Sequence, residues 1–249
     1  MQEDERIGWK RSAAEAAVAA IPDGALIGLG SGSTAELMLE ALAARVRAGL
    51  QVTGVPTSER TRTLASALGV RLLTFDELHD TLDMSLDGAD EVTTPALDLI
   101  KGRGGALLHE KQIALASRYR IIIVDDSKLV PTLGTQTPIP VEVVPFGWQQ
   151  TMKRLKALGA SLRDQQNVVI ALRGTSAGDA VAGSSSLHPF VTDSGNYILD
   201  CAFGPIAQPA ELAAQIKALT GVIDHGLFIG MTERVYVGGA DGLRTYTRG

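Results

Sequence analysis

The chain has 249 residues, enough for one large domain or two modest ones with their own cores. Charged residues make up 20% and the formal net charge is -5, a poor match to a nucleic-acid binder, because phosphate backbones select clustered Lys and Arg. The single cysteine, Cys201, rules out an intrachain disulfide framework; with no Cys/His set at zinc spacing, no Ser-His-Asp order and no nucleotide fingerprint, the inventory suits acid/base chemistry without a metal or other cofactor.

The first residues, MQEDERIGWKR, lack the apolar run of a signal peptide. No stretch approaches the roughly 18 apolar residues that a membrane span requires. A cytoplasmic protein with no membrane partner is expected.

Residues 6–20 read as a helix, with Ala and Val on one face, stopped by Pro22, Asp23 and Gly24. A short apolar strand over 25–29 precedes the run Gly30-Ser-Gly-Ser-Thr34, and 35–47 has helical periodicity. A second strand is expected over 51–55. The next helix opens at Thr57-Ser58-Glu59 and runs to Leu68, with Ser58 as its N-cap. Residues 70–73 are again short and apolar. The strand 82–86 delivers Asp87. Ile100-Lys101 leads into a glycine turn, 106–117 is helical, and 121–124 is a β-branched strand ending at Asp125-Asp126. Strand and helix alternate throughout, which points to a parallel, doubly wound sheet.

After Leu133 the pattern changes. Pro131, Pro138, Pro140 and Pro145 mark a domain crossing. Strands are expected over 141–144, 160–163, 168–172 and 196–201, and helices over 148–158 and 209–219. A Gly/Ser-rich stretch, 174–186, reads as a mobile loop. Tail segments 226–229, 234–237 and 243–246 are strand-like and suited to rejoin the first sheet. The expected fold class is α/β: a Rossmann-like parallel-sheet domain over 1–133 and 225–249, with a smaller α+β domain over 134–224.

Four segments carry chemistry. Gly28-Leu-Gly-Ser-Gly-Ser-Thr-Ala35 joins a strand to a helix, where backbone N–H groups, the helix N-terminus and the hydroxyls of Ser31, Ser33 and Thr34 can hold a phosphate or polar sugar groups. It has neither the lysine of a P-loop nor dinucleotide-fold glycine spacing, and a purely structural turn fits it equally. Asp87-Gly-Ala-Asp-Glu91 sets two carboxylates at the carboxyl end of a strand, the edge where open α/β sheets bind ligands. Sharing one pocket would split their pKa values; a turn with a helix cap is the plainer reading.

Lys101-Gly-Arg-Gly-Gly-Ala-Leu-Leu-His-Glu-Lys111 places Glu110 about one and a half helical turns past Gly105. A carboxylate base and a cation near one loop suit proton abstraction beside a carbonyl, with Lys101 holding the enediolate oxyanion. Otherwise Glu110 is a solvated helix-surface residue. In Asp125-Asp-Ser-Lys128, Lys128 sits at the same sheet edge and can bind phosphate, a carboxylate or only water.

At these residues the sequence closely resembles the ribose-5-phosphate isomerase A family. The strings GLGSGSTA, VPTSERT, LDGADEV, IKGRGGALLHEK, DDSKLV, PIPVEVVPF and FVTDSGNYILD stand in the family's order, from about Trp9 to about Tyr246. The resemblance implies that the smaller domain is ferredoxin-like and that the protein is a homodimer or homotetramer. It implies interconversion of ribose 5-phosphate and ribulose 5-phosphate through an enediolate, in the non-oxidative pentose phosphate pathway, without a metal. Glu110 matches the base that moves a proton between C1 and C2, and Lys101 the residue near the reacting oxygens. Asp87 and Asp90 match the acidic pair for ring opening and hydroxyl handling. Ser31, Gly32, Ser33 and Thr34 match the substrate loop. Gly88, Ala89, Gly102, Arg103 and Gly104 fall inside the matching substrate-binding strings; Lys128 matches a substrate-binding lysine, and Lys10 one that reaches the phosphate.

Arg103 and His109 depart from the common pattern. Arg103 can strengthen phosphate binding or point outward, and the outward reading is favoured. His109 neighbours the proposed base, but adjacent helix residues diverge by about 100°, so it need not share the pocket. His79, His188 and His225 receive no role. Two other classes remain open. A non-catalytic sugar-phosphate sensor would be expected to carry a DNA-binding helix, and none is evident. A coenzyme A transferase would need its glutamate in a different glycine context.

Overall fold

The computed structural model describes residues 2–161, 168–175 and 188–248. Its elements in chain order are α1 (Gln2–Ala19), β1 (Ala25–Leu29), α2 (Ser33–Arg47), β2 (Val52–Pro56), α3 (Glu59–Ala67), β3 (Arg71–Leu72), β4 (Leu82–Asp87), β5 (Glu91–Val92), β6 (Leu99–Ile100), α4 (Leu107–Leu115), β7 (Ser117–Asp125), β8 (Ile139–Val143), α5 (Trp148–Ser161), β9 (Val169–Leu172), β10 (Tyr197–Ala202), α6 (Pro209–Lys217), β11 (Val222–His225), β12 (Leu227–Phe228), β13 (Arg234–Gly239) and β14 (Gly242–Thr247).

A seven-stranded sheet has the order β14-β13-β7-β4-β1-β2-β3. All its pairings are parallel except the hairpin of β13 with β14. The chain moves outward from β1 through β2 to β3, then returns to β4 on the other side of β1. That reversal opens a crevice at the carboxyl ends of β1 and β4, the standard ligand position in such sheets. Buried Ala13, Ala17, Ile27, Leu39, Leu42 and Ile121 weld α1 and α2 to this sheet. Burial of apolar area of this kind stabilises by about 25 cal/mol per Å².

An antiparallel four-stranded sheet, β11-β8-β10-β9, forms a second layer with its own apolar cluster, including Val141, Leu155, Leu199, Cys201 and Ile216. Cys201 is a buried small hydrophobe. A third, three-stranded sheet has the order β12-β6-β5. The α/β class read from the sequence is the class observed.

Several elements differ from the sequence reading. The strand expected over 160–163 is not there at its start: α5 continues through Ser161, and 162–163 lie outside the described residues. Most of the expected loop 174–186 also lies outside them. Of the tail, β13 and β14 rejoin the large sheet, but β12 pairs with β6 instead. The two-residue strands β5 and β6 are too short to show a period of two and were not expected. Strand β11 was not expected either. Among the described residues no helix is long and apolar enough to cross a membrane.

Candidate active site

The crevice at β1 and β4 holds a cleft of about 320 Å³, within the range of small-molecule sites. Gly30 ends β1, and its N–H donates to the Leu86 carbonyl at 2.9 Å. A Cβ on Gly30 would lie 2.1 Å from Asp87 Oδ1, so only glycine lets the loop pass this close. Gly32, at φ 96°, then turns the chain into α2, whose N-terminus opens on the cleft beside Ser33 and Thr34.

The site's hub is Lys101, which follows β6 and is buried. Its Nζ lies 2.9 Å from Asp87 Oδ2 and 3.3 Å from Glu110 Oε2. It also donates to the Gly88 carbonyl at 2.6 Å, and the Phe228 ring centroid is 5.5 Å away. Asp87 Oδ1 accepts the backbone N–H groups of Gly88 at 2.7 Å and Ser31 at 3.2 Å. Asp87 is thus saturated beneath the loop. Asp90 lines the cleft itself, and its Oδ2 accepts the Arg103 N–H at 3.0 Å.

Glu110 sits in the first turn of α4 and is only 5% exposed, which removes the solvated-surface reading. Its Oε2 has no hydrogen-bond partner among the described residues, although Lys101 lies at ion-pair distance. The ion pair is long and poorly directed, which leaves a lone pair on that oxygen open. Burial pushes the Glu110 carboxyl up to about 8; Lys101 pulls it down, and Asp87 and Asp90 push it up further. Burial also raises Asp87, against the pull of Lys101. For Lys101, Asp87 and Glu110 outweigh the burial penalty and hold the ammonium above its usual value.

Gly88, Ala89, Gly102, Gly104 and Arg103 complete the walls, with the Arg103 side chain exposed at the rim. Lys10 and Lys128 enter from α1 and from the turn after β7. Lys10 stands 3.7 Å from Asp125 Oδ2, while Lys128 has no ion-pair partner among the described residues. The cleft is therefore lined by the Glu110–Lys101 pair, Asp90 and three further cationic residues, Lys10, Arg103 and Lys128.

Two placements refine the sequence reading. The Ser31 hydroxyl is engaged with Thr57 at 2.7 Å, Ser58 at 2.7 Å and Thr61 at 3.0 Å, so it braces the loop against α3. His109 turns away into a separate surface cleft, with Nε2 2.8 Å from Ser194 Oγ. Ser58 caps α3 as expected, accepting the Thr61 N–H at 3.2 Å.

Sequence reasoning missed three supports. Glu91, fully buried, accepts the N–H groups of Gly134, Gln136 and Thr137, each at 2.6 Å. Its acidic type beside Asp90 was visible; its partners, over forty positions away, were not. Lys111 Nζ is held by Asp224 and the His225 carbonyl, and lies 4.9 Å from the Phe228 ring centroid, the same ring that Lys101 faces. Arg173 reaches the turn after Lys101 from the second layer. Among the described residues no group of three or more His, Cys, Asp or Glu side chains is arranged to hold a metal ion.

Residues 53–242 match the family model described as ribose 5-phosphate isomerase A (phosphoriboisomerase A). The chain is 48% identical over 237 residues to the ribose-5-phosphate isomerase A of Synechococcus sp. (strain JA-3-3Ab), covering 95% of each chain. It is 49% identical over 240 residues to that of Gloeobacter violaceus, covering 96% of this chain and 95% of the relative. Among solved structures, ribose 5-phosphate isomerase A from Methanocaldococcus jannaschii superposes with a TM-score of 0.85 at 36% identity, covering 97% of this chain and 99% of that one. A D-ribose-5-phosphate isomerase in complex with phospho-erythronic acid gives a TM-score of 0.86 at 34% identity, with 97% and 98% covered.

Proposed function

The chain belongs to the ribose 5-phosphate isomerase A family and is a sugar-phosphate aldose–ketose isomerase, and from that premise we propose that Glu110 moves a proton between C1 and C2 of open-chain ribose 5-phosphate to yield ribulose 5-phosphate. The observation that carries this assignment is the buried, unbonded Glu110 Oε2 at 3.3 Å from Lys101 Nζ, on the wall of the cleft. Burial poises the carboxyl near working pH, where a general base is most effective.

In this reading the phosphate lies among Lys128, Lys10 and the N-terminus of α2, and its binding energy orients the reacting carbons. Asp90, at the cleft surface, handles a sugar hydroxyl during ring opening. Asp87 acts from beneath, through Lys101 and the loop N–H groups. Ionised Glu110 takes the C2 proton. The C2–H electron pair becomes the C1–C2 double bond, and the carbonyl pair moves onto O1, where Lys101 stabilises the charge. The proton then returns to C1 while a hydroxyl proton passes from O2 to O1, which completes the ketose.

Residues 1–133 and 225–249 serve as the catalytic unit and 134–224 as the smaller one, a division supported by their separate seven-stranded and four-stranded sheets, with Ile100, Val130, Leu133 and Leu227 of the first packing into the apolar cluster of the second. A cytoplasmic homodimer or homotetramer is the assembly that the family resemblance supports. The decisive experiment is ketose formation from ribose 5-phosphate by purified protein, with and without a metal chelator. Chelator-insensitive turnover is expected; tight binding without turnover would instead favour a sensor.

A further inference from the structure

We propose that Arg173, which does not itself line the cleft, is a positioning residue that holds the turn between Lys101 and the helix carrying Glu110. The inference rests on the roles given to those two residues above. Arg173 Nη1 donates to the Gly102 carbonyl at 2.9 Å and to the Arg103 carbonyl at 3.0 Å. The rest of the guanidinium is locked in a fork: Nε donates to Asp200 Oδ2 at 3.0 Å, and Nη2 donates to Asp200 Oδ1. Its backbone is fixed too, donating to Ile198 at 2.9 Å and accepting from Phe190 at 2.8 Å.

The turn needs outside restraint. Gly102 at φ 103° and Gly105 at φ 88° adopt conformations that cost glycine a large loss of freedom. The Arg103 backbone is held at both its polar groups: its N–H donates to Asp90 Oδ2 at 3.0 Å, and its carbonyl accepts from Arg173 Nη1. Phe190 closes the last gap, since a Cβ on Gly105 would lie 2.4 Å from its Cζ. The second layer thereby sets the spacing of Lys101 and Glu110. Lysine cannot reproduce this arrangement, because a point charge cannot fork to Asp200 and still reach two carbonyls.

The test compares parent enzyme with Arg173→Lys, Arg173→Ala and Asp200→Asn at a temperature where circular dichroism shows each variant folded. Ribose 5-phosphate is the probe. A misplacement of about 1 Å costs on the order of 100-fold, so kcat should fall tenfold to a hundredfold while KM changes less than about threefold. The acid limb of the kcat/KM profile should move upward as Lys101 loosens from Glu110, and added guanidinium ion should partly restore Arg173→Ala. If Arg173→Ala does not fold, Arg173→Lys, which keeps the charge, carries the comparison. Variants with parent-like kcat and pH profile, changed only in melting temperature, overturn the inference alone. A parent without turnover overturns both it and the isomerase reading.

Discussion

Glu110 Oε2 stands 3.3 Å from Lys101 Nζ, a buried ion pair whose contact is long and poorly directed for a hydrogen bond. Charge proximity without a directional bond leaves the carboxylate available to a carbon-bound proton, while the ammonium remains close to where the enediolate oxygen forms.

Replacing Glu110 with Gln keeps shape and removes the base. Turnover should fall by a factor on the order of 10²–10⁴, the usual contribution of general-base catalysis. Steady-state kinetics check this; near-normal kcat in a folded Glu110→Gln enzyme would remove Glu110 from the mechanism.

The pH dependence follows from the raised Glu110 value. The working form is ionised, so kcat/KM of the free enzyme should rise with pH and level off above about 8. For stability the sign is the reverse. A carboxyl raised in the folded state keeps its full contribution below the unfolded value, 4.5, and loses it as pH rises through about 8. The melting temperature of Glu110→Gln relative to parent should therefore be higher at pH 9 than at pH 5.

Lys128 has no ion-pair partner among the described residues, so its removal leaves no orphaned carboxylate there. Charge-assisted hydrogen bonds contribute about 1.5–3 kcal/mol, hence Lys128→Ala should raise KM for ribose 5-phosphate roughly tenfold or more. The effect should shrink with added salt if the contact is exposed. An unchanged KM would move the phosphate elsewhere.

Glu91 is a structural rather than a catalytic carboxylate. Gln in its place confronts the Gly134, Gln136 and Thr137 N–H groups with an amide instead of a charge. A loss on the order of 3 kcal/mol is expected in urea unfolding, with kcat nearly unchanged in the folded protein. A stable Glu91→Gln with poor kcat would place Glu91 in the chemistry.

Much of this was legible in the chain. Strand β1 and helix α2 follow from apolar runs broken by Gly30 and Gly32, because period and turn chemistry are local properties. Glu110, Lys101 and Asp90 were identified by residue type beside glycine turns and by family resemblance. Their burial and spacing were not visible, since these depend on β4 lying beside β1 and on β6 pairing with both β5 and β12. Only the tertiary structure showed that Asp87 is saturated under the loop and that the Ser31 hydroxyl braces α3. It likewise decided that Glu91 serves the 134–137 segment and that Arg173 reaches back to Gly102. Apart from the contacts of Asp87 with Gly88 and Lys101, these join residues 26 or more positions apart. No local pattern encodes such a pairing, because its energy arises only when packing removes both partners from water and supplies each with the other.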